Sequence, residues 1–107
     1  MSNDVLLQLA ATISARRTAA VDSSYTRQLL DAGPVRCAKK FGEEAMETVI
    51  AGAGESDEAL KEEAADLLYH LLVLLESRGV AIDDVLGVLA KRSGVSGLKE
   101  KAERGKR

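Results

Sequence analysis

Glu62-Glu63-Ala64-Ala65-Asp66-Leu67-Leu68-Tyr69-His70-Leu71-Leu72-Val73-Leu74-Leu75 is a run in which charge gives way to apolar side chains without a Gly or Pro between them. It lies inside a longer segment, Asp57 to about Arg78, that reads as one helix. The first half of that helix is charged. The second half, Leu67 to Leu75, is apolar on nearly every side, and a helix apolar all round is buried. Asp66 stands at the border of the two halves. A carboxylate there is costly unless it is paired or bound to a metal. The apolar run is too short to span a bilayer and contains His70.

Outward from this helix the chain reads as helical throughout. Asp4 to about Arg17 is a first helix, with Ser2, Asn3 and Asp4 as cap candidates and Val5, Leu6, Leu9 and Ile13 at helical spacing. Arg16 and Arg17 suit the dipole at its end. Ala19 to Ser24 is a connector, and Ser23 or Ser24 caps a short helix running to Leu30. Gly33 and Pro34 fit a helix end and the first turn of the next one. That third helix runs from Pro34 to about Ala53. Val35, Ala38, Phe41, Ala45, Val49 and Ile50 form its apolar face, with Lys40, Glu44 and Glu47 opposite. Ser56 or Asp57 caps the fourth helix, and Gly79 ends it. Asp83 and Asp84 open a fifth that runs to about Arg92. Ser93 to Gly97 is a turn, and Leu98 to Arg107 is charged, with the makings of a short helix. No alternation of strand type survives counting. The expected architecture is all-α: a bundle of four to five helices in one domain spanning residues 1–107.

A chain of 107 residues buries a modest core. Association with a second copy is a common remedy. Aromatics make up 3% and Trp is absent, so the core is built from Leu, Val, Ala and Ile. The net charge of -2 recruits neither nucleic acid nor an anionic membrane. A single Cys, Cys37, rules out an intramolecular disulfide and fits a reducing cytoplasm. No basic stretch followed by an apolar run marks a signal peptide at the N-terminus.

The charge distribution is more informative than its sum. Glu43 to Asp66 holds nine acids and one Lys, while Leu98 to Arg107 holds five basic residues and two acids. Glu44 and Glu47 stand three apart on one helix, and Glu63 and Asp66 do the same on the next; residues so spaced share a face. Side by side, the two helices bring four carboxylates together. Oxygen ligands of this kind suit Mg²⁺, or Mn²⁺ in its place. Such ions hold a polyphosphate and lower the pKa of a bound water. The other reading is solvated Glu on amphipathic helices, and on spacing and charge counts alone it is the commoner explanation. The position of Asp66 beside the apolar half weighs toward the metal.

Other chemistries fit less well. A di-iron carboxylate bundle wants Glu-x-x-His on two helices, whereas this chain has one His with Leu67 three before it. Cys37 has no base beside it for nucleophilic work. Gly52-Ala53-Gly54 precedes no Lys-Ser/Thr, so there is no phosphate loop of that type. His70, beside Tyr69 on a packed helix, suits a hydrogen-bonded core position and equally a contact to an acid or a substrate. Lys40 shares the acidic face and can meet a phosphate or pair with Glu44, while Lys39 is rotated away.

Several stretches together resemble one family. They are Ser24-Tyr25-Thr26 with Leu29-Leu30 and Gly33, then Lys39-Lys40-x-Gly42-Glu43-Glu44-Ala45. Glu62-Glu63-Ala64-Ala65-Asp66-Leu67-Leu68-Tyr69-His70 follows, and Ser96-Gly97 precedes Glu100-Lys101. The acidic pattern resembles the all-α nucleoside triphosphate pyrophosphohydrolases, the MazG-like group. The flanking words are similar, within that group, to phosphoribosyl-ATP pyrophosphohydrolase of histidine biosynthesis. The likeness covers roughly residues 23–104. It implies a helical bundle completed by homodimerisation. It also implies cleavage of phosphoribosyl-ATP between its α and β phosphates, giving phosphoribosyl-AMP and pyrophosphate. On this resemblance Glu44, Glu47, Glu63 and Asp66 are the metal ligands. Glu43 is off-angle from Glu44 and Glu47 and stands as a candidate to activate water, and Lys40 as a group assisting the departing pyrophosphate. Ser24, Tyr25, Thr26, Lys39 and His70 are candidates for contact with substrate, although Ser24 serves equally as a helix cap. A related hydrolase of free nucleoside triphosphates and a non-catalytic helical module are the competing expectations.

Overall fold

The computed structural model describes residues 2–18 and 24–93, and side chains from residue 5 onward. All regular structure among the described residues is helical. Helix α1 spans Ser2–Ala15 and passes into a 3₁₀ turn at Arg16–Thr18. Then come α2 (Tyr25–Ala32), α3 (Pro34–Gly54), α4 (Asp57–Ser77) and α5 (Ile82–Arg92). The side chains of the cap candidates Ser2, Asn3 and Asp4, the turn at Ser93 to Gly97 beyond its first residue, and the charged tail lie outside the described part; the backbone of residues 2–4 is already helical.

Local chemistry explains the boundaries. Ser24 caps α2, its hydroxyl accepting from Arg27 N–H at 3.1 Å. Ser56 does the same for α4 through Ala59 N–H, also at 3.1 Å. Gly33 sits at φ 95°, a conformation that favours glycine, and Pro34 then occupies the first position of α3. At the end of α4, Gly79 has φ 70°. Val80 N–H bonds Leu75 C=O at 2.9 Å and Gly79 N–H bonds Glu76 C=O at 3.0 Å, the paired pattern of a Schellman ending. Arg17 does not serve the end of its own helix. Its guanidinium crosses to Glu76 and holds both the side chain and the backbone carbonyl there.

α3 and α4 form an antiparallel hairpin. Gly52 lies against Leu60, Thr48 bonds Glu63, and Glu44 approaches Asp66; one number rises as the other falls. The remaining helices gather at the far end of α4. There Ile13, Leu29, Leu30, Cys37, Leu72 and Val73 are buried together, with Leu6, Leu9, Ala10, Tyr69, Leu74 and Ile82 packed around them. The Cys37 thiol donates to Leu29 C=O at 3.2 Å, which holds α2 to the start of α3.

The expected orientation of α3 is corrected by the structure. Its inward residues are Cys37, Glu44 and Ala51, seven apart. The stripe expected to be buried is largely bare: Val35 is 85% exposed, Val49 63% and Ile50 54%, and Ala38 is exposed as well. Phe41 and Ala45 are half-buried. The helix therefore turns its polar stripe toward α4 and its apolar stripe outward. α4 is likewise not buried on every side, since Leu68 is 48% exposed and only His70, Leu72 and Val73 are fully covered. Asp66 is exposed on this chain.

Two substitutions separate core from cap. Ile13→Ala should lower unfolding stability by about 2–5 kcal/mol, as cavity-forming changes do. Ser56→Ala should lower it by about 1 kcal/mol. Denaturant unfolding followed by circular dichroism checks both.

Candidate metal centre

The seam between α3 and α4 is polar because of where the helical repeat falls. Cys37, Glu44 and Ala51 occupy one line on α3, so the helix that buries Cys37 in the core also turns Glu44 inward a little further along. Glu44 is 6% exposed. Across the seam, Glu63 and Asp66 stand one turn apart on α4. One oxygen from each of Glu44, Glu63 and Asp66 lies within 4.8 Å of the others.

Glu63 carries the strain of this arrangement. Its Oε1 is buried without a hydrogen-bond partner. Burial raises its pKa above the ordinary 4.5, Glu47 adds through its charge and a hydrogen bond between the two carboxyl groups, and the charges of Asp66 and Glu44 push it further in the same direction. An anionic oxygen out of water with no donor is unfavourable. Adjacent like charges add to the cost. A hard divalent cation removes both difficulties at once, and three carboxylates from two rigid helices are a suitable oxygen donor set for one. Glu47 is exposed and lies outside the group of three, but its charge is the neighbour that raises Glu63 most.

The rim is organised by Lys40. Its ammonium lies 3.6 Å from Glu43 and 3.7 Å from Glu44. Its pKa is raised, most by the Tyr25 oxygen, with Glu44 and Glu43 adding. Burial in turn raises the pKa of Tyr25, an effect that Lys40 opposes. Tyr25 is half-exposed and rests its ring edge-on against His70. His70 is buried. Its Nδ1 lies 2.8 Å from Asp66 C=O, which can only accept, so Nδ1 carries a proton. In the neutral ring Nε2 is then the acceptor for the Tyr25 hydroxyl at 3.3 Å. Tyr25 on α2 is thus connected to the backbone of Asp66 through one imidazole.

The other candidates are placed as follows. Thr26 is buried and bonds the Tyr69 hydroxyl. Ser24 is buried and caps α2. Lys39 is exposed. Arg27 pairs with Asp31 at 3.0 Å. Thr48 was not singled out from the sequence, though it lies between the acidic pairs. A hydroxyl one turn beyond Glu44 on the same face was the available signal. A separate hollow of about 350 Å³ between α1, α4 and α5 is lined by Leu7, Ala10, Leu72, Ile82, Glu76 and Asp83 among others, and shares no residue with the carboxylates.

The phosphoribosyl-ATP pyrophosphohydrolase family model matches residues 6–93. The chain belongs to that family. Every candidate residue above falls inside the phosphoribosyl-ATP pyrophosphohydrolase match. The phosphoribosyl-ATP pyrophosphatase 1 of Bradyrhizobium diazoefficiens is 60% identical over 97 residues, covering 90% of this chain and 91% of the relative. That of Rhodopseudomonas palustris is 53% identical over 104 residues and 97% of each chain. The phosphoribosyl-ATP pyrophosphatase of Erythrobacter litoralis is 56% identical over 102 residues, or 95% of this chain and 98% of the relative.

The raised pKa of Glu63 has a definite consequence for the metal-free protein. Ionising this group costs more in the folded than in the unfolded chain, so stability falls as pH rises from 4.5 through the raised value. In EDTA at pH 7, Glu63→Gln should melt above the wild type. The difference should shrink as pH is lowered to 4.5 and vanish below it, where the wild-type carboxyl becomes protonated in both states. Melting curves across that range check it.

Proposed function

We propose that this chain hydrolyses phosphoribosyl-ATP to phosphoribosyl-AMP and pyrophosphate, the second step of histidine biosynthesis, with Mg²⁺ held by Glu44, Glu47, Glu63 and Asp66. The observation that carries this reading is the buried, partnerless Glu63 oxygen within a three-carboxylate group, in a chain of this family. When bound, a divalent cation offsets the charge of the triphosphate and makes a neighbouring water more acidic; Mn²⁺ can replace Mg²⁺ in that role.

The protein's own groups divide the remaining work. Glu44 and Glu63, partly or wholly buried, supply negative charge that does not move. Lys40 keeps a positive charge at the rim, where the phosphates of the substrate enter and pyrophosphate departs. Glu43 is exposed and paired only loosely with Lys40, so it is the carboxylate available to take a proton from the attacking water. The water oxygen bonds to phosphorus at the α–β bridge, the bridging oxygen leaves with pyrophosphate, and the water's proton passes to Glu43 and then to solvent. No covalent intermediate is needed. Tyr25, half-exposed and held by His70, is the contact for ribose or phosphate. Ser24 and Thr26 hold α2 in place beneath it, and Lys39 stands available to a phosphate that extends beyond the seam.

The same reading includes a homodimer. Val35, Met46, Val49 and Ile50 form an apolar stripe along α3, each more than half exposed, which a second copy would cover. A cytoplasmic setting agrees with a free, buried Cys37. No helix among the described residues is long and apolar enough to cross a membrane.

Pyrophosphate release, measured side by side on phosphoribosyl-ATP and on ordinary nucleoside triphosphates, tests the substrate. Clear preference for the free triphosphates would replace this reading with that of a housecleaning hydrolase. Glu44→Gln and Asp66→Asn should each lower turnover by about 100-fold or more, beyond what loss of an outer-shell partner costs, and EDTA should abolish it. Full activity in both variants would make the acids structural. For the dimer, Ile50→Glu should shift sedimentation from two chains to one; a monomeric wild type would overturn that part.

A further inference from the structure

Thr48 lies on α3 one turn beyond Glu44. Its hydroxyl is 2.9 Å from Glu44 C=O on its own helix and 3.2 Å from Glu63 C=O on α4. Both oxygens can only accept, and the hydroxyl has one proton, which it shares between them. Each carbonyl belongs to a residue whose side chain enters the carboxylate group. The bond to the residue four before it is a common local choice for Thr; the bond across the seam is not local. It ties the backbones of two carboxylate residues together at the level where their side chains repel each other.

The surroundings show why a tie is needed there. On the connection side, Leu60 packs against Gly52, and Ala51 is buried. On the core side, Leu72, Val73 and Cys37 close the bundle. Between these two apolar contacts lies the acidic stretch, where Glu63 Oε1 has no donor and three carboxylates converge. At that level the like charges of the converging carboxylates act to widen the seam. Widening the seam would draw these oxygens apart, and a small cation needs its ligand oxygens close, since bond lengths to Mg²⁺ are near 2.0–2.1 Å.

We infer that Thr48 is a positioning residue of the metal centre: its hydroxyl fixes the spacing of Glu44 and Glu63 by bridging their carbonyls. This inference rests on the metal reading proposed above. It assigns no contact between Thr48 and substrate or ion.

The test is Mn²⁺ affinity, by calorimetry and by the rise in melting temperature on titration, in wild type, Thr48→Ser, Thr48→Val, Thr48→Ala and Glu63→Gln. Circular dichroism first establishes that each is helical. Thr48→Ser should bind as the wild type does, because it keeps the hydroxyl. Thr48→Val, which keeps the shape and loses the hydroxyl, should bind roughly tenfold more weakly, as outer-shell losses do. Thr48→Ala should match it. Binding by Thr48→Val equal to the wild type, with Glu63→Gln silent, would overturn this inference and leave the metal centre standing. The same holds if Thr48→Ala alone is weak, since volume and not the hydroxyl would then matter. A wild type that binds no Mn²⁺, or binds it unchanged in Glu63→Gln, would remove the metal reading and this inference with it. Should Thr48→Val fail to fold, the Ala variant against Ser decides: equal affinity of those two overturns the proposal.

Discussion

Repulsion among carboxylates at the α3–α4 seam is the constraint around which the fold is arranged. Packing normally joins two helices along their apolar stripes. Here α3 presents Cys37, Glu44 and Ala51 inward and leaves Val49 and Ile50 in the open. The hairpin is held by apolar contacts at its two ends and by a hydroxyl bridge between. A seam of this kind makes sense only if something compensates the charge. The same arrangement accounts for the orphaned oxygen of Glu63, its raised pKa, and the placement of Lys40 at the rim.

Around the seam, burial increases with depth. Glu44 is buried and Asp66 exposed, so the group has a closed and an open side. The open side is where Tyr25, Lys40 and Glu43 lie. Tyr25 reaches it from α2, a short helix anchored by Leu29 and Leu30 in the core. The imidazole of His70 then relates that phenol to the backbone of Asp66. A core contact, a polar relay and a candidate ligand are therefore linked within a few residues of α4.

Much of this was legible in the chain itself. Gly33-Pro34, Ser56 and Gly79 mark their boundaries through φ preference and capping, which are local effects. The spacing of Glu44, Glu63 and Asp66 placed each on a helix face before any packing was known. The face that α3 buries was not legible. Hydropathy says which side chains avoid water; it does not say which way a helix faces its neighbour, and here α3 turns Glu44 inward and leaves Val49 and Ile50 exposed. Nor were the pairs Tyr25–His70 and Thr26–Tyr69, which join residues 45 and 43 positions apart. They leave no periodic trace, because each depends on how α2 lies against α4.

The two-residue link between α3 and α4, Glu55 and Ser56, also bears on the order in which the molecule assembles. Gly52 meets Leu60 across 8 positions and Thr48 meets Glu63 across 15, whereas Arg17 meets Glu76 across 59. Closing short loops costs little chain entropy, and contacts near in sequence form fastest. The hairpin is therefore the kinetically cheap part of the fold, and closing it gathers the acids before the distant partners from α1 arrive to complete the core. Dissolved cations should consequently speed folding, since they screen the step in which like charges first meet.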